Sequence, residues 1–161
     1  MSAALPGGRR ASSAGPSGQG DAVLNERSWL ASLDALRLEC DGMTRVISAL
    51  LHRDGIAHSA MLGRLGVCGV GEIPNHYWIQ LADGRLIDLR ARMWLGDDPR
   101  VPHGVFEQER ADARYEGLAV DLPCAPVVFW ALTDLTIDAF PSATFLASPK
   151  VAQVPREPVP S

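Results

Sequence analysis

Apolar residues recur at helical spacing in two places early in the chain. Trp29, Leu30, Leu33 and Leu36 form one stripe, which predicts a helix over about 22–37 with Asp21 as its cap. Met43, Val46, Ile47, Leu50 and Leu51 form a second, which predicts a helix over about 41–53 that Gly55 stops. After Gly55 the pattern changes. "IAHSAMLGRLGV" predicts a strand across residues 57–67, and the glycine-broken "CGVGEIPN" reads as an irregular link. "HYWIQLADGRLIDL" is the clearest hairpin signal, with arms at 76–81 and 86–89 and Asp83-Gly84 in the turn. Residues 106–115 are polar and read as a short helix or a long loop, 125–132 ("APVVFWAL") as a buried strand, and 137–147 fits no single period. Helices first and an antiparallel sheet after is an α+β pattern, N-terminal helices packed on a sheet.

The hairpin carries a geometric test. A two-residue loop at Asp83-Gly84 pairs Ile79 with Asp88 and sends His76 and Asp88 to opposite faces, because side chains alternate along a strand. A three-residue loop, Ala82 to Gly84, pairs Leu81 with Arg85 and Trp78 with Asp88. Tyr77, Ile79, Leu81, Ile87 and Leu89 then share an apolar face, and His76, Trp78, Gln80, Leu86 and Asp88 share the other. This second register sorts apolar from polar better. It also sets His76 diagonal to Asp88, roughly 7–8 Å between Cα atoms and within side-chain reach.

Composition bounds the rest. The chain has 161 residues, 47% of them hydrophobic, which is one domain's worth with enough apolar material for a core. Residues 1–21 are expected to be a disordered leader, 22–150 a single domain, and 151–161 a loose proline-rich tail. No apolar run of about 18 residues is present, so no membrane span is expected. A net charge of −4 with no basic run argues against nucleic-acid binding. Three widely spaced cysteines suggest a reduced, cytoplasmic setting rather than a disulfide scaffold. Neither C-x-x-C nor H-E-x-x-H occurs, and "GRLGVCGVG" lacks the strand–turn–helix context of a dinucleotide loop, so no metal or cofactor is expected.

Cys40 stands where the second predicted helix begins, three residues before Met43 and seven before Ile47, on that helix's buried side. A helix amino terminus lowers a thiol's pKa and offers backbone N–H groups to a developing oxyanion. A histidine supplies the base and a carboxylate orients it. Cys40, His76 and Asp88 supply these three roles if the sheet packs on the second helix. Glu39 and Asp41 argue the other way, since flanking carboxylates raise a thiol's pKa when they lie close. A lone cysteine is also most often small core filler.

The stretch "CDGMTRVISALLHRDGIAHSAMLG" resembles the nucleophile helix and following strand of transglutaminase-like domains, whose site architecture is similar to that of papain. "HYWIQLADGRLIDL" resembles that family's histidine and aspartate strands. The resemblance covers about residues 38–90 and implies a transglutaminase-like core with Cys40 as nucleophile, His76 as base and Asp88 as orienting acid. It departs from the family in the acidic neighbours of Cys40. It implies a cysteine-dependent amide hydrolase or acyltransferase (peptidase, deamidase or transglutaminase-like) that works through a covalent acyl-thioester on a peptide, protein or small amide or thioester. Asn25, Trp29 and Gln80 are candidates for an auxiliary oxyanion donor, and Trp78 and Trp94 for cleft walls. The rival reading is a non-catalytic module that keeps the fold and binds a protein or peptide.

Overall fold

The computed structural model describes residues 17–109 and 112–147. The first sixteen residues of the expected leader and the whole of the expected tail lie outside the described residues. The described chain is α+β: α1 (Ser17–Asp34), α2 (Cys40–Arg53), β1 (His58–Val67), β2 (Gly71–Leu81), β3 (Leu86–Asp88), α3 (Ala91–Leu95), β4 (Gly104–Phe106), β5 (Ala113–Val120) and α4 (Pro126–Thr133), followed by two short 3-10 turns at Ile137–Ala139 and Thr144–Leu146. Among these residues no helix is long and apolar enough to cross a membrane.

The two predicted stripes become the two helices of the main core. Trp29 and Leu33 of α1 are fully buried, as are Met43, Val46, Ile47, Leu50 and Leu51 of α2. They pack with Ile79, Leu81, Ile87 and Leu89 of the hairpin, the apolar face that the three-residue loop requires. The limits of α1 differ from expectation. It begins at Ser17, so Asp21 lies inside the helix rather than capping it, and residues 17–21 of the expected leader are helical. It ends at Asp34, and Leu36 closes a turn on the Leu33 carbonyl.

The five strands form one antiparallel sheet in the order β4-β3-β2-β1-β5. The hairpin register is the three-residue one: Ile79 faces Ile87 and Gln80 faces Leu86. Gly84 takes φ 93° in the loop, a conformation that favours glycine. On its other side β2 is bulged, with Pro74 and Asn75 together facing Arg64 where the pairing with β1 shifts. The bulge accommodates a proline inside a strand and lies immediately before His76, where it increases the local twist.

The sheet is strongly curled. Flat, its edge strands would stand roughly 19 Å apart at the usual strand spacing. Instead the rings of Phe106 on β4 and Tyr115 on β5 lie 5.8 Å apart. Two facing glycines permit this. Gly63 of β1 is paired with Gly117 of β5. A Cβ on Gly63 would overlap the Glu116 carbonyl oxygen, and one on Gly117 would lie 2.6 Å from the Trp78 indole. The bare backbone there lets β5 close over Trp78, whose ring meets Tyr115 edge-on at 5.1 Å.

Three expectations for the chain beyond β1 need correction. The irregular link shrinks to a turn at 68–70, and "GEIPN" is already strand. Residues 106–115 are not a helix: they hold the end of β4 and the start of β5, with 110 and 111 outside the described residues. "APVVFWAL" is not a buried strand but α4. Pro126 opens α4 after an extended Ala125, and Phe129 and Thr133, one helical turn apart, form its buried face. Val127 and Trp130 are exposed. A short run that is apolar on every side has no period to read.

Candidate active site

The first helical bond of α2 runs from the Met43 amide to the Glu39 carbonyl, at 2.9 Å. The amides of Cys40, Asp41 and Gly42 therefore have no partner inside the helix, and no side chain caps this end. Glu39 is extended (φ −75°, ψ 178°) and turns the chain sharply into α2. Glu39 and Asp41 are exposed while Cys40 is half-buried, so the flanking carboxylates point outward and the thiol inward.

His76 and Asp88 meet as the three-residue register predicts. His76 Nε2–H donates to Asp88 Oδ2 at 2.6 Å, with both side chains buried. Asp88 is held from three further directions. Its Oδ1 accepts from the amides of Arg90 (2.9 Å) and Ala91 (3.1 Å), and its Oδ2 also accepts from the Tyr115 hydroxyl (2.8 Å). Trp78 stacks beside His76, ring centroids 6.3 Å apart and planes 23° from parallel. With Nε2 committed to Asp88, Nδ1 is the ring nitrogen left over. It is buried and, among the described residues, finds no conventional hydrogen-bond partner of its own. The group that the ring faces is Cys40.

The electrostatics follow from this contact. Burial pushes the Cys40 thiol up and Asp41 adds to that, but the His76 ring and the Tyr77 backbone outweigh both and hold it below the ordinary thiol value. Burial alone would lower His76, yet its bonds to Asp88 and Cys40 dominate and raise it to about 9. One group is made a better acid and its neighbour a better base, so transfer of the thiol proton to the imidazole is favoured by both.

No family profile, curated protein or solved structure matches this chain. The residues themselves therefore carry the functional argument.

Arg90 links the acid strand to the start of α2. Its guanidinium donates to the carbonyls of Leu38 (2.6 Å), Leu36 (2.6 Å) and Leu89 (2.7 Å) and to Asp34 Oδ1 (3.1 Å). The chain entering Cys40 is thus tied to the residue two places after Asp88. The space beside Cys40 is too tight to hold a water molecule and is walled by Met43, Thr44, Ile47, Tyr77 and Ile87 among others.

The other sequence candidates fall in different places. Trp78 contacts His76 directly. Gln80 is half-buried in β2 between Ser59 and Leu86. Trp29 belongs to the main core and packs edge-on against Phe145, its Nε1 buried without a partner among the described residues. Asn25 is exposed on α1, and Trp94 is exposed on α3. None of these five lines the space beside Cys40. Sequence reasoning missed Tyr115 and Arg90. The alternation of Ala113, Tyr115 and Gly117 was the available sign of a strand, but a polar stretch with an Asp-Ala-Arg run obscured it.

Proposed function

We propose that this chain is a cysteine-dependent acyl-transfer enzyme, an amide hydrolase or acyltransferase with a transglutaminase-like core, in which Cys40 is the nucleophile, His76 the acid–base and Asp88 the residue that orients His76. The observation that carries this reading is the convergence of a half-buried thiol at a helix start with a histidine whose far nitrogen is fixed by a buried carboxylate.

The chemistry would run as follows. The Cys40 thiolate attacks the carbonyl carbon of an amide or thioester, and the carbonyl electron pair moves onto oxygen. The unpaired amides at the start of α2 are the donors available to that oxyanion. His76 delivers the Nδ1 proton to the leaving group, an amine from an amide or a thiolate from a thioester, as the intermediate collapses, which leaves an acyl-thioester on Cys40 and a neutral imidazole. Water or a second amine then attacks the thioester, and His76 takes up its proton. Asp88 keeps the imidazole in the tautomer with hydrogen on Nε2. The substrate class is a peptide, protein or small amide or thioester. The three free cysteines accord with a reducing, cytoplasmic setting.

One observation favours the rival reading, a binding module that keeps the fold without turnover. The space beside Cys40 leaves no room even for a water molecule, whereas a usual ligand pocket holds roughly 300 Å³ or more. Substrate entry would require Tyr77 or the chain before Cys40 to move.

Alkylation rate against pH separates the two, with each thiol resolved by peptide mass spectrometry. We expect Cys40 to react fastest near neutral pH and His76→Ala to abolish that advantage. If Cys40 titrates like an ordinary thiol whether or not His76 is present, the enzyme reading is wrong and the module reading replaces it.

A further inference from the structure

We propose that Tyr115 is a positioning residue of this site: its hydroxyl, bonded to the same Asp88 oxygen as His76 Nε2, divides that oxygen's charge between two donors and so sets how firmly His76 holds its proton. The two bonds to Oδ2 are 2.8 Å from Tyr115 and 2.6 Å from His76.

Tyr115 comes from β5, at the opposite edge of the sheet from β4, with two strands between it and the strand that carries Asp88. Only the curl over the Gly63–Gly117 pair brings it to Asp88. Its ring is fixed between Trp78 and Phe106, at 5.1 and 5.8 Å. Its hydroxyl thus reaches Asp88 from a well-packed ring. Asp88 does not need this bond to stay in place, because its Oδ1 is already pinned by the amides of Arg90 and Ala91. What the hydroxyl changes is the carboxylate's appetite for the His76 proton. A carboxylate that accepts a neutral donor on one lone pair of Oδ2 is a weaker acceptor toward the other donor on that oxygen. The titratable groups facing His76 are Cys40 of α2 and Asp88 of β3, with Tyr115 of β5 acting through Asp88.

The direction is therefore fixed. Loss of the hydroxyl concentrates Oδ2 on His76, so His76 should hold its proton more tightly, and a more acidic phenol should do the opposite. The bearing on acyl transfer rests on the function proposed above, whereas the effect on His76 does not.

The experiment is an NMR titration of the His76 imidazole nitrogens in the full chain, assigned by the signals lost in His76→Ala. It is run on the wild type, on Tyr115→Phe, and on protein carrying fluorinated tyrosine. The chain has only two tyrosines, so the labelled protein stays close to native. Tyr115→Phe is expected to raise the His76 midpoint by roughly half a pH unit, and the fluorinated ring to lower it. The alkaline step of the Cys40 alkylation profile should move with it. A loss of packing alone would lower the melting temperature without moving the two midpoints in opposite directions. A His76 titration unchanged in both variants overturns the proposal. If Cys40 behaves as an ordinary thiol while the His76 midpoints still move apart, the acyl-transfer reading falls and the role of Tyr115 stands.

Discussion

The Leu81 amide donates to the Arg85 carbonyl at 2.8 Å across the hairpin, and the Gly84 amide returns to the Leu81 carbonyl at 3.0 Å. This pairing closes a three-residue loop and thereby puts His76 on the same face as Asp88. Gly84 has φ 93° and open space around the position of a Cβ, so strain there is purely one of backbone conformation. Gly84→Ala should destabilise the protein by about 1 kcal/mol and Gly84→Asn by less, read from urea unfolding. Equal effects from the two would mean that the loop does not depend on the left-handed conformation.

The Gly63–Gly117 pair should be the least tolerant part of the sheet. A side chain on Gly63 meets backbone of β5, which cannot rotate away. Gly63→Ala is expected to cost roughly 3 kcal/mol or more, because overpacking against a strand must either unpair β5 or flatten the curl. Gly66→Ala, three residues further along β1 and opposite Arg114, has nothing within 4 Å of the new Cβ and should lie within about 0.5 kcal/mol of the wild type. Thermal melting of the two variants side by side checks this, and similar losses from both would contradict it.

Much of the region around Cys40, His76 and Asp88 was legible in the sequence because three local signals agreed there. The stripe of α2 fixed which side Cys40 takes. The two faces of the hairpin fixed its register, since a one-residue slip would have exposed Ile87 and buried Leu86 against the helices. The turn residues then fixed the loop. The second half was less legible for physical reasons. Residues 125–132 are apolar all round, so neither period shows, and it was Pro126 at the start of α4 that favoured a helix. Tyr115 could not be placed near Asp88 by any local rule. That contact depends on a sheet curl set by two glycines more than fifty residues apart, and pairing at that separation leaves no periodic trace.

Arg90 is nearly buried, and its partners are three carbonyls and one carboxylate arranged around a planar group. Lysine keeps the charge but presents a single ammonium, which cannot reach Leu36, Leu38 and Leu89 together. Arg90→Lys should therefore leave at least one buried carbonyl without a donor and cost about 2–3 kcal/mol in urea unfolding. Because the Leu36 and Leu38 carbonyls lie just before Cys40, the same variant should also slow Cys40 alkylation at neutral pH while Cys68, which is exposed in the turn after β1, reacts as before. A full-strength alkylation rate in a destabilised Arg90→Lys would show that Arg90 supports the fold without ordering the start of α2.

The raised His76 makes stability depend on pH in a direction that can be stated in advance. Burial works against its charge, but the bond to Asp88 prevails and holds its pKa at about 9, above the ordinary 6.5. Its contribution is thus complete below pH 6.5 and is lost as pH rises toward about 9. Cys40 acts oppositely: its lowered pKa contributes stability above 9.0 that is lost as pH falls through its folded value, so the two overlap in the wild type. Cys40→Ser removes the second titration and keeps the Asp88 bond that dominates the first. In that variant we expect unfolding free energy to fall by on the order of 1–3 kcal/mol between pH 6.5 and 9. The double variant Cys40→Ser, His76→Ala should lose that slope. A slope that survives in the double variant would leave the His76–Asp88 bond without a measurable part in stability.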